Sequence, residues 1–195
     1  MRVTKAQAEA NRARIVETAS TLFRERGYDG VGVVDLMAAA GFTHGGFYKH
    51  FRSKADLMDE AAACGLAQTM TKSRGLDLTQ FIKLYISREH RDQRGDGCTI
   101  AALCGDAARQ SEDIKATFAG GMETMLAAIL RNDNAVAEED RSEKRARAIC
   151  LMASTIGAVM LSRACPDDSS LADEILTACR TELLATLSPT TGAKE

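Results

Sequence analysis

The sequence predicts an all-α fold of about nine helices, arranged as a small three-helix head followed by a larger helical body. Apolar residues recur at three- and four-residue spacings along most of the chain, which is the period of one buried helix face. The two prolines of the 195 residues, Pro166 and Pro189, both lie late, so long stretches lack the residue that breaks a helix. Runs of β-branched residues, which favour strands, are scarce.

The head is predicted to contain three helices, over residues 4–26, 33–40 and 44–50. In the first helix, Ile15, Ala19 and Phe23 recur at four-residue spacing and form one apolar face. Gly27 is expected to end the first helix and Gly41 the second, because glycine favours the turn that stops a helix. The side chain of Thr43 is expected to cap the third helix.

The body is predicted to contain six further helices that begin at polar caps or after glycines. Ser53 is expected to cap the first of them with help from Asp56, and Asp77 is expected to cap the second. A cap at Ser169 or Ser170 starts the last helix, which ends at about residue 187. The other predicted ranges are 54–73, 78–93, 98–110, 111–131 and 138–164. We place the domain boundary between residues 1–53 and residues 54–195.

Charge is distributed unevenly between the two parts of the chain, although the whole chain has a net charge of only −2. Residues 1–54 contain nine Lys and Arg against five Asp and Glu, a net charge of +4. The remaining residues, 55–195, contain sixteen Lys and Arg against twenty-two Asp and Glu, a net charge of −6. A basic segment on an acidic body indicates a head that faces DNA and a body that is turned away from it.

The stretch DLMAAAGFTHGGFYKHFRSK, residues 35–54, has the pattern of a helix-turn-helix. Gly45 and Gly46 give the third predicted helix, residues 44–50, a thin front that can approach a groove. Thr43 lies at the start of this helix, where free backbone N–H groups suit a phosphate. His44 and Lys49 are the expected base contacts, whereas Phe47 and Phe51 are expected to pack in the core. The candidate DNA contacts are Thr43, His44, Gly46, Tyr48, Lys49, His50 and Lys54.

Simpler structural roles are also open for some of these residues. Tyr48 could be a half-buried packing residue, and His50 could be a structural hydrogen-bond partner. Lys49 and Lys54 alone would indicate no more than a solvated face. Their position within the motif is what favours the contacts with DNA.

The segments IVETASTLFRERGYDG, VVDLMAAAG and FTHGGFYKHFRSKADL resemble the TetR family of bacterial transcriptional regulators, over roughly residues 11–60. The resemblance implies a dimeric regulator, most often a repressor, that binds an operator in double-stranded DNA and is released by a small-molecule effector. One position departs from the pattern, because Gly46 stands where the family often has Thr, Ser or Ala. A second glycine costs a helix about 1 kcal/mol relative to Ala and removes a side chain that could touch a base.

The resemblance also implies an effector pocket within the body and a homodimer formed by the last two long helices. Small residues between apolar ones over residues 148–161 suit close helix approach, although a buried core helix of a monomer would show the same pattern. The effector is expected to be apolar or electrophilic. The candidate pocket residues are Phe81, Tyr85, His90, Leu103, Phe118, Met122, Met125, Met152 and Thr155.

The six cysteines suggest an alternative sensor that uses the same DNA-binding head. They are scattered and form no CxxC pair, which favours reduced thiols. Cys98 opens the predicted sixth helix, where the helix dipole favours a thiolate. A redox or electrophile sensor at Cys98 is therefore the second hypothesis, and a helical interaction protein with an idle head is the third.

Other classes of function are disfavoured by what the sequence lacks. It contains no HExxH motif, phosphate loop or Ser/His/Asp set, so we expect no enzyme, no cofactor and no metal site. Residues 1–13 are polar and charged, and no run of about 18 apolar residues occurs. We therefore expect a cytoplasmic protein without a membrane segment.

Overall fold

The computed structural model describes residues 4–132 and 141–187, and these form nine α-helices and two short 3₁₀ helices. The prediction of an all-α fold is therefore confirmed. We name the first 3₁₀ helix, His44–Lys49, the recognition segment. The elements in order are α1 (Lys5–Arg26), α2 (Val33–Ala39), the recognition segment, α3 (Lys54–Lys72), α4 (Leu78–Tyr85), α5 (Arg88–Asp92), the second 3₁₀ helix (Arg94–Asp96), α6 (Thr99–Ala107), α7 (Glu112–Asn132), α8 (Arg141–Ala164) and α9 (Ser170–Leu187).

Several predicted helix ends are confirmed by local hydrogen bonds. Ser53 Oγ accepts from the Asp56 backbone N at 3.1 Å, and Asp77 Oδ1 accepts from the Gln80 backbone N at 2.7 Å. Gly27 ends α1 with a positive φ of 73°, and its N–H donates to the carbonyl of Phe23. Each of these signals acts within four residues, which is why the sequence alone reveals it.

Two local predictions were wrong. The predicted helix over 78–93 is two helices, since Ile86 leaves the helical region with ψ of 69° and Ser87 Oγ caps a new helix by accepting from His90 N. The Thr43 side chain makes no capping bond, although its carbonyl accepts from Gly46 N at 2.9 Å. The segment that follows is 3₁₀ rather than α, consistent with the poor α-helix propensity of two adjacent glycines.

Residues of the chain group into two compact units. Unit 1 contains Met1–Lys72 and Arg94–Glu123, and unit 2 contains Ser73–Gln93 and Thr124–Glu195. The predicted functional boundary after residue 53 is a different kind of division and stays a prediction. The first residues of the helix predicted over 138–164 lie outside the described residues.

Unit 1 has a continuous apolar core contributed by α1, α2, the recognition segment, α3, α6 and α7. Ile15, Phe23, Leu36, Leu57 and Phe118 are all buried in it. Burying one such side chain stabilises a fold by about 1.5–3 kcal/mol. The core therefore fixes the first three helical elements on α3.

Unit 2 is built on the packing of α8 against α9, with α4 and α5 contacting these helices. Arg91 of α5 is fully buried, and its Nε donates to the backbone carbonyl and Oγ of Ser162 at 3.2 and 3.0 Å. Helix α8 is long and apolar enough to cross a membrane by length and composition, and 39% of its most apolar window is buried inside the protein. The core helix of a soluble protein passes the same test of length and composition.

Candidate nucleic-acid interface

The recognition segment is anchored by two aromatic side chains. Phe47 and Phe51 are buried in the core of unit 1, as predicted, and their ring centroids are 5.5 Å apart. The backbone N–H groups of His50 and Phe51 both donate to the carbonyl of Phe47. One face of this short helix is therefore fixed to the protein, and the opposite face is left to solvent.

Four of the predicted DNA contacts are exposed to solvent, and they are Thr43, His44, Tyr48 and Lys49. Tyr48 is 68% exposed, so it is not the half-buried packing residue of the alternative interpretation. Its ring contacts that of His44 edge-on, with centroids 6.4 Å apart. A hydroxyl, an imidazole and an ammonium group are thus presented together, and all can donate hydrogen bonds to phosphate oxygens or base edges.

The two glycines of the segment differ in their surroundings. A Cβ on Gly45 would meet nothing within 4 Å, whereas a Cβ on Gly46 would lie 3.6 Å from Met37 Cε. Gly46 is thus directed partly towards α2, and Gly45 is the open position. The contact of Gly46 with DNA stays a prediction. The candidate contacts predicted from the sequence include Gly46 but not Gly45.

The other two predicted contacts, His50 and Lys54, are half-buried. Lys54 Nζ donates to the backbone carbonyl of Tyr28 at 2.5 Å and lies 6.0 Å from the ring centroid of Phe23. The ammonium group is therefore engaged within the head, and a contact with DNA would have to replace or share this bond. The roles of both residues in DNA binding stay predictions.

Arg12 is a further residue of the interface region that the motif did not single out. It forms a bidentate ion pair with Glu60 of α3, and its Cζ lies 4.6 Å from the ring centroid of Phe51. Its Nε donates to the carbonyl of His50 at 3.4 Å. The hydrogen bond with Glu60 raises the pKa of the Arg12 guanidinium above its ordinary value. Because 48 residues separate the two partners, no local pattern indicates the pair.

A second arginine of α1, Arg24, is buried among neutral acceptors. Its Nε donates to the carbonyl of Gly95 at 2.8 Å, and its other nitrogens donate to Ser20 Oγ and Gln68 Oε1. Burial lowers the pKa of this guanidinium below its ordinary value. Glycine is needed at position 65, because a Cβ there would lie 2.4 Å from Arg24.

The candidate pocket residues fall into two groups in different units. In unit 2, the centroid of the Tyr85 ring lies 5.2 Å from that of the Phe81 ring and 4.4 Å from that of the His90 ring. His90 Nδ1 is 2.7 Å from the carbonyl oxygen of Tyr85. Met125, Met152 and Thr155 of this unit are also buried. In unit 1, Leu103, Phe118 and Met122 belong to or pack against the core. The pocket stays a prediction.

The cysteines of unit 1 are shielded from solvent to different degrees. Cys98 is 2% exposed and lies at the cap position of α6 without a side-chain capping bond. Burial raises the pKa of the Cys64 and Cys104 thiols, which disfavours their reactive thiolate forms. Within residues 4–132 and 141–187, no group of three or more His, Cys, Asp or Glu is arranged to hold a metal.

Comparison with known proteins matches the N-terminal part of the chain to a family. Residues 15–61 match the family described as bacterial regulatory proteins, tetR family. The HTH-type transcriptional regulator TtgR of Pseudomonas putida is 40% identical over 58 residues, which is 30% of this chain and 28% of that protein. This chain thus matches little more than a quarter of the length of that curated relative.

Solved structures match nearly the whole chain at low identity. The reduced form of Escherichia coli NemR gives a TM-score of 0.68 at 20% identity, covering 89% of this chain and 95% of that one. A TetR-family regulator from Cytophaga hutchinsonii gives a TM-score of 0.74 at 15% identity, covering 98% of this chain and 100% of that one. These likenesses show that the fold extends through the body as well as the head.

Proposed function

We propose that the chain is a dimeric transcriptional regulator of the TetR family of bacterial regulatory proteins, the family that residues 15–61 match, and that it binds operator DNA. Repression that a small effector relieves is the form of regulation we favour. The observation that carries the proposal is the exposed face of the recognition segment. There His44, Tyr48 and Lys49 are presented on a support of buried phenylalanines.

DNA binding is tested with a duplex selected from a random-sequence library by the full chain, using fluorescence anisotropy at several KCl concentrations. Affinity should fall steeply with salt, because Lys and Arg that neutralise phosphates release counterions. Tyr48→Ala and Lys49→Ala should each weaken binding about tenfold, which is within the range of one specific contact. Lys115→Ala, on α7, is the matched control and should bind like the wild type. Salt-insensitive binding, or no effect of either variant, would contradict the proposal.

We propose that the dimer forms through α8 and α9. Both helices have exposed large apolar residues, Ile149 and Leu161 on α8 and Leu171 on α9. A Cβ added to Gly157 would meet nothing within 4 Å, so α8 has an open position where another helix can approach closely. Several residues predicted for the interface, Met152 and Val159 among them, are instead buried within the protomer.

The dimer is tested by light scattering coupled to size exclusion. Gly157→Glu should convert the dimer to a monomer, because a buried, unpaired carboxylate in an interface is costly. Gly105→Glu is the matched control, since Gly105 is also helical with no atom within 4 Å of an added Cβ. A dimer that persists in Gly157→Glu at micromolar concentration would contradict the proposed interface.

Two proposals concern regulation. A small apolar or electrophilic molecule would bind in the body, and native mass spectrometry of the purified chain would detect one that is retained. The alternative is a thiol sensor at Cys98, for which a reduced NemR structure of the same fold is the supporting comparison. A thiol reagent should then release wild-type protein from DNA and leave Cys98→Ser bound, and equal release of both would contradict the sensor. We place the protein in the cytoplasm.

A further inference from the structure

The recognition segment is too short and too glycine-rich to hold its own orientation. It has six residues, of which two are glycine, and 3₁₀ helices have weaker hydrogen-bond geometry than α-helices. Its orientation must therefore come from contacts with the rest of unit 1. Phe47 and Phe51 anchor one face by burial, but apolar burial is non-directional, so directional contacts must come from other side chains.

Arg12 supplies the directional contacts at the C-terminal end of the segment. Its guanidinium donates to the His50 carbonyl, lies over the Phe51 ring and pairs with both carboxylate oxygens of Glu60. A bidentate Arg–carboxylate pair fixes the plane of the guanidinium. The plane in turn fixes the ring and the carbonyl against which it is held.

We infer that Arg12, held by Glu60, is the positioning residue of the DNA interface and sets the orientation of Tyr48 and Lys49 without contacting DNA. This inference rests on the proposed function. It assigns one of the nine Lys and Arg of residues 1–54 to internal organisation rather than to phosphate binding. It also makes Glu60, an acidic residue, a contributor to selective binding of a polyanion.

The sign of the Glu60 effect separates this role from a phosphate contact. If Arg12 bound a phosphate, removing the charge of Glu60 would strengthen DNA binding, since Glu60 competes for the guanidinium and repels DNA. If Arg12 positions the segment, removing Glu60 releases the guanidinium and weakens binding to the operator. The two roles therefore predict changes of opposite direction for one substitution.

The experiment measures binding of the full chain to the selected duplex and to a scrambled duplex of equal composition, at several KCl concentrations. Arg12→Gln and Glu60→Gln should each weaken the binding of the chain to the selected duplex about tenfold, which is comparable with the loss of one base contact. Binding to the scrambled duplex should stay within twofold, and the salt slope should not change. The double variant should be no weaker than either single variant, because the two residues act as one unit.

Lys5 and Glu9 provide a matched control for charge. They form an ion pair 3.9 Å long on α1 with highly exposed side chains. Lys5→Gln and Glu9→Gln change the net charge of unit 1 as the test variants do. Each should shift binding to both duplexes equally, with Glu9→Gln shifting it towards tighter binding.

Conservative variants keep the test valid if Arg12→Gln fails to fold. Arg12→Lys retains the charge but lacks the fork that pairs with a carboxylate, so it should lose part of the preference for the selected duplex. Two results together would show that Arg12 contacts a phosphate and would overturn the inference. Glu60→Gln would bind the selected duplex more tightly than the wild type, and the slope of log affinity against log salt concentration would be about 0.9 smaller for Arg12→Gln. Salt-insensitive binding by the wild type would instead defeat the proposed function, and the inference with it.

Discussion

Arg24 in unit 1 and Arg91 in unit 2 are both buried, but their charges are satisfied in different ways. Arg24 donates to the carbonyl of Gly95 and to neutral side chains. Arg91 donates to the carboxylates of Asp92 and Asp167 as well as to Ser162. A buried cation with carboxylate partners retains its charge at a lower cost than one with neutral partners alone. Burial accordingly lowers the pKa of Arg24.

The largest expected effect is the loss of Arg91. Arg91→Met removes the donors that hold Ser162, Cys165 and Asp167 at the end of α8. Ser162 is fully buried, and leaving buried acceptors without a donor costs about 1–3 kcal/mol each, so we expect a loss of about 3 kcal/mol. Urea unfolding followed by far-UV circular dichroism should show this loss. A change below about 1 kcal/mol would mean that the network does not stabilise unit 2.

A smaller effect is expected for Arg24→Met. The substitution leaves neutral acceptors without a donor, which costs about 1–3 kcal/mol, but it also removes a charge whose burial is unfavourable. We expect a net destabilisation of about 1 kcal/mol by the same measurement. If Arg24→Met proved as destabilising as Arg91→Met, the contrast between neutral and carboxylate partners would be wrong.

Features that depend on neighbouring residues could be predicted from the sequence. The caps at Ser53 and Asp77 and the stop at Gly27 act within four residues, and all were predicted. The recognition segment was predicted because several residue types recur at fixed spacings. Its candidate contacts with DNA stay predictions, but four of them are exposed to solvent.

Contacts between distant segments were missed, because no local pattern encodes them. Arg12 and Glu60 are 48 residues apart, and Arg24 and Gly95 are 71 apart. The charge count of residues 1–54 includes both arginines, and the fold uses both internally. The bond of Lys54 to the carbonyl of Tyr28 was missed for the same reason, and the contact of Lys54 with DNA stays a prediction.

Tyr28→Phe should stabilise unit 1. The Tyr28 hydroxyl is buried and has no hydrogen-bond partner among the described residues, and an unsatisfied buried polar group costs about 1–3 kcal/mol. Removing it should raise the free energy of unfolding by about 1 kcal/mol at neutral pH. A loss of stability would show that the hydroxyl has a bound partner such as water.

Alkaline titration gives a second measure of the same residue. Burial, with the charges of Asp106 and Asp59, raises the pKa of Tyr28 above its ordinary value. The unfolded chain therefore loses this proton first, and stability falls as pH rises above about 10. Tyr28→Phe should make this fall shallower, and an unchanged slope would contradict the burial of the ionisable hydroxyl.

The smallest expected effect concerns Asp92, one carboxylate partner of Arg91. Burial acts to raise its pKa, but hydrogen bonds from Arg91 and Arg88 outweigh burial and lower the pKa below its ordinary value. The stabilisation is therefore present above the ordinary Asp pKa of about 3.9 and is lost as pH falls through the lower folded value. The Asp92 side chain is 48% exposed, so solvent screening limits its contribution to about 0.5 kcal/mol.

Asp92→Asn should consequently lower the free energy of unfolding slightly at pH 7 and by less at pH 3, measured by urea unfolding at both values. Asp173→Asn is the matched control, because Asp173 pairs with Arg88 but does not contact the buried Arg91. A loss for Asp92→Asn that exceeds the loss for Asp173→Asn would show that the buried arginine is partly neutralised through Asp92. Equal losses would show that Asp92 does not neutralise the buried arginine, and would leave that role to Asp167.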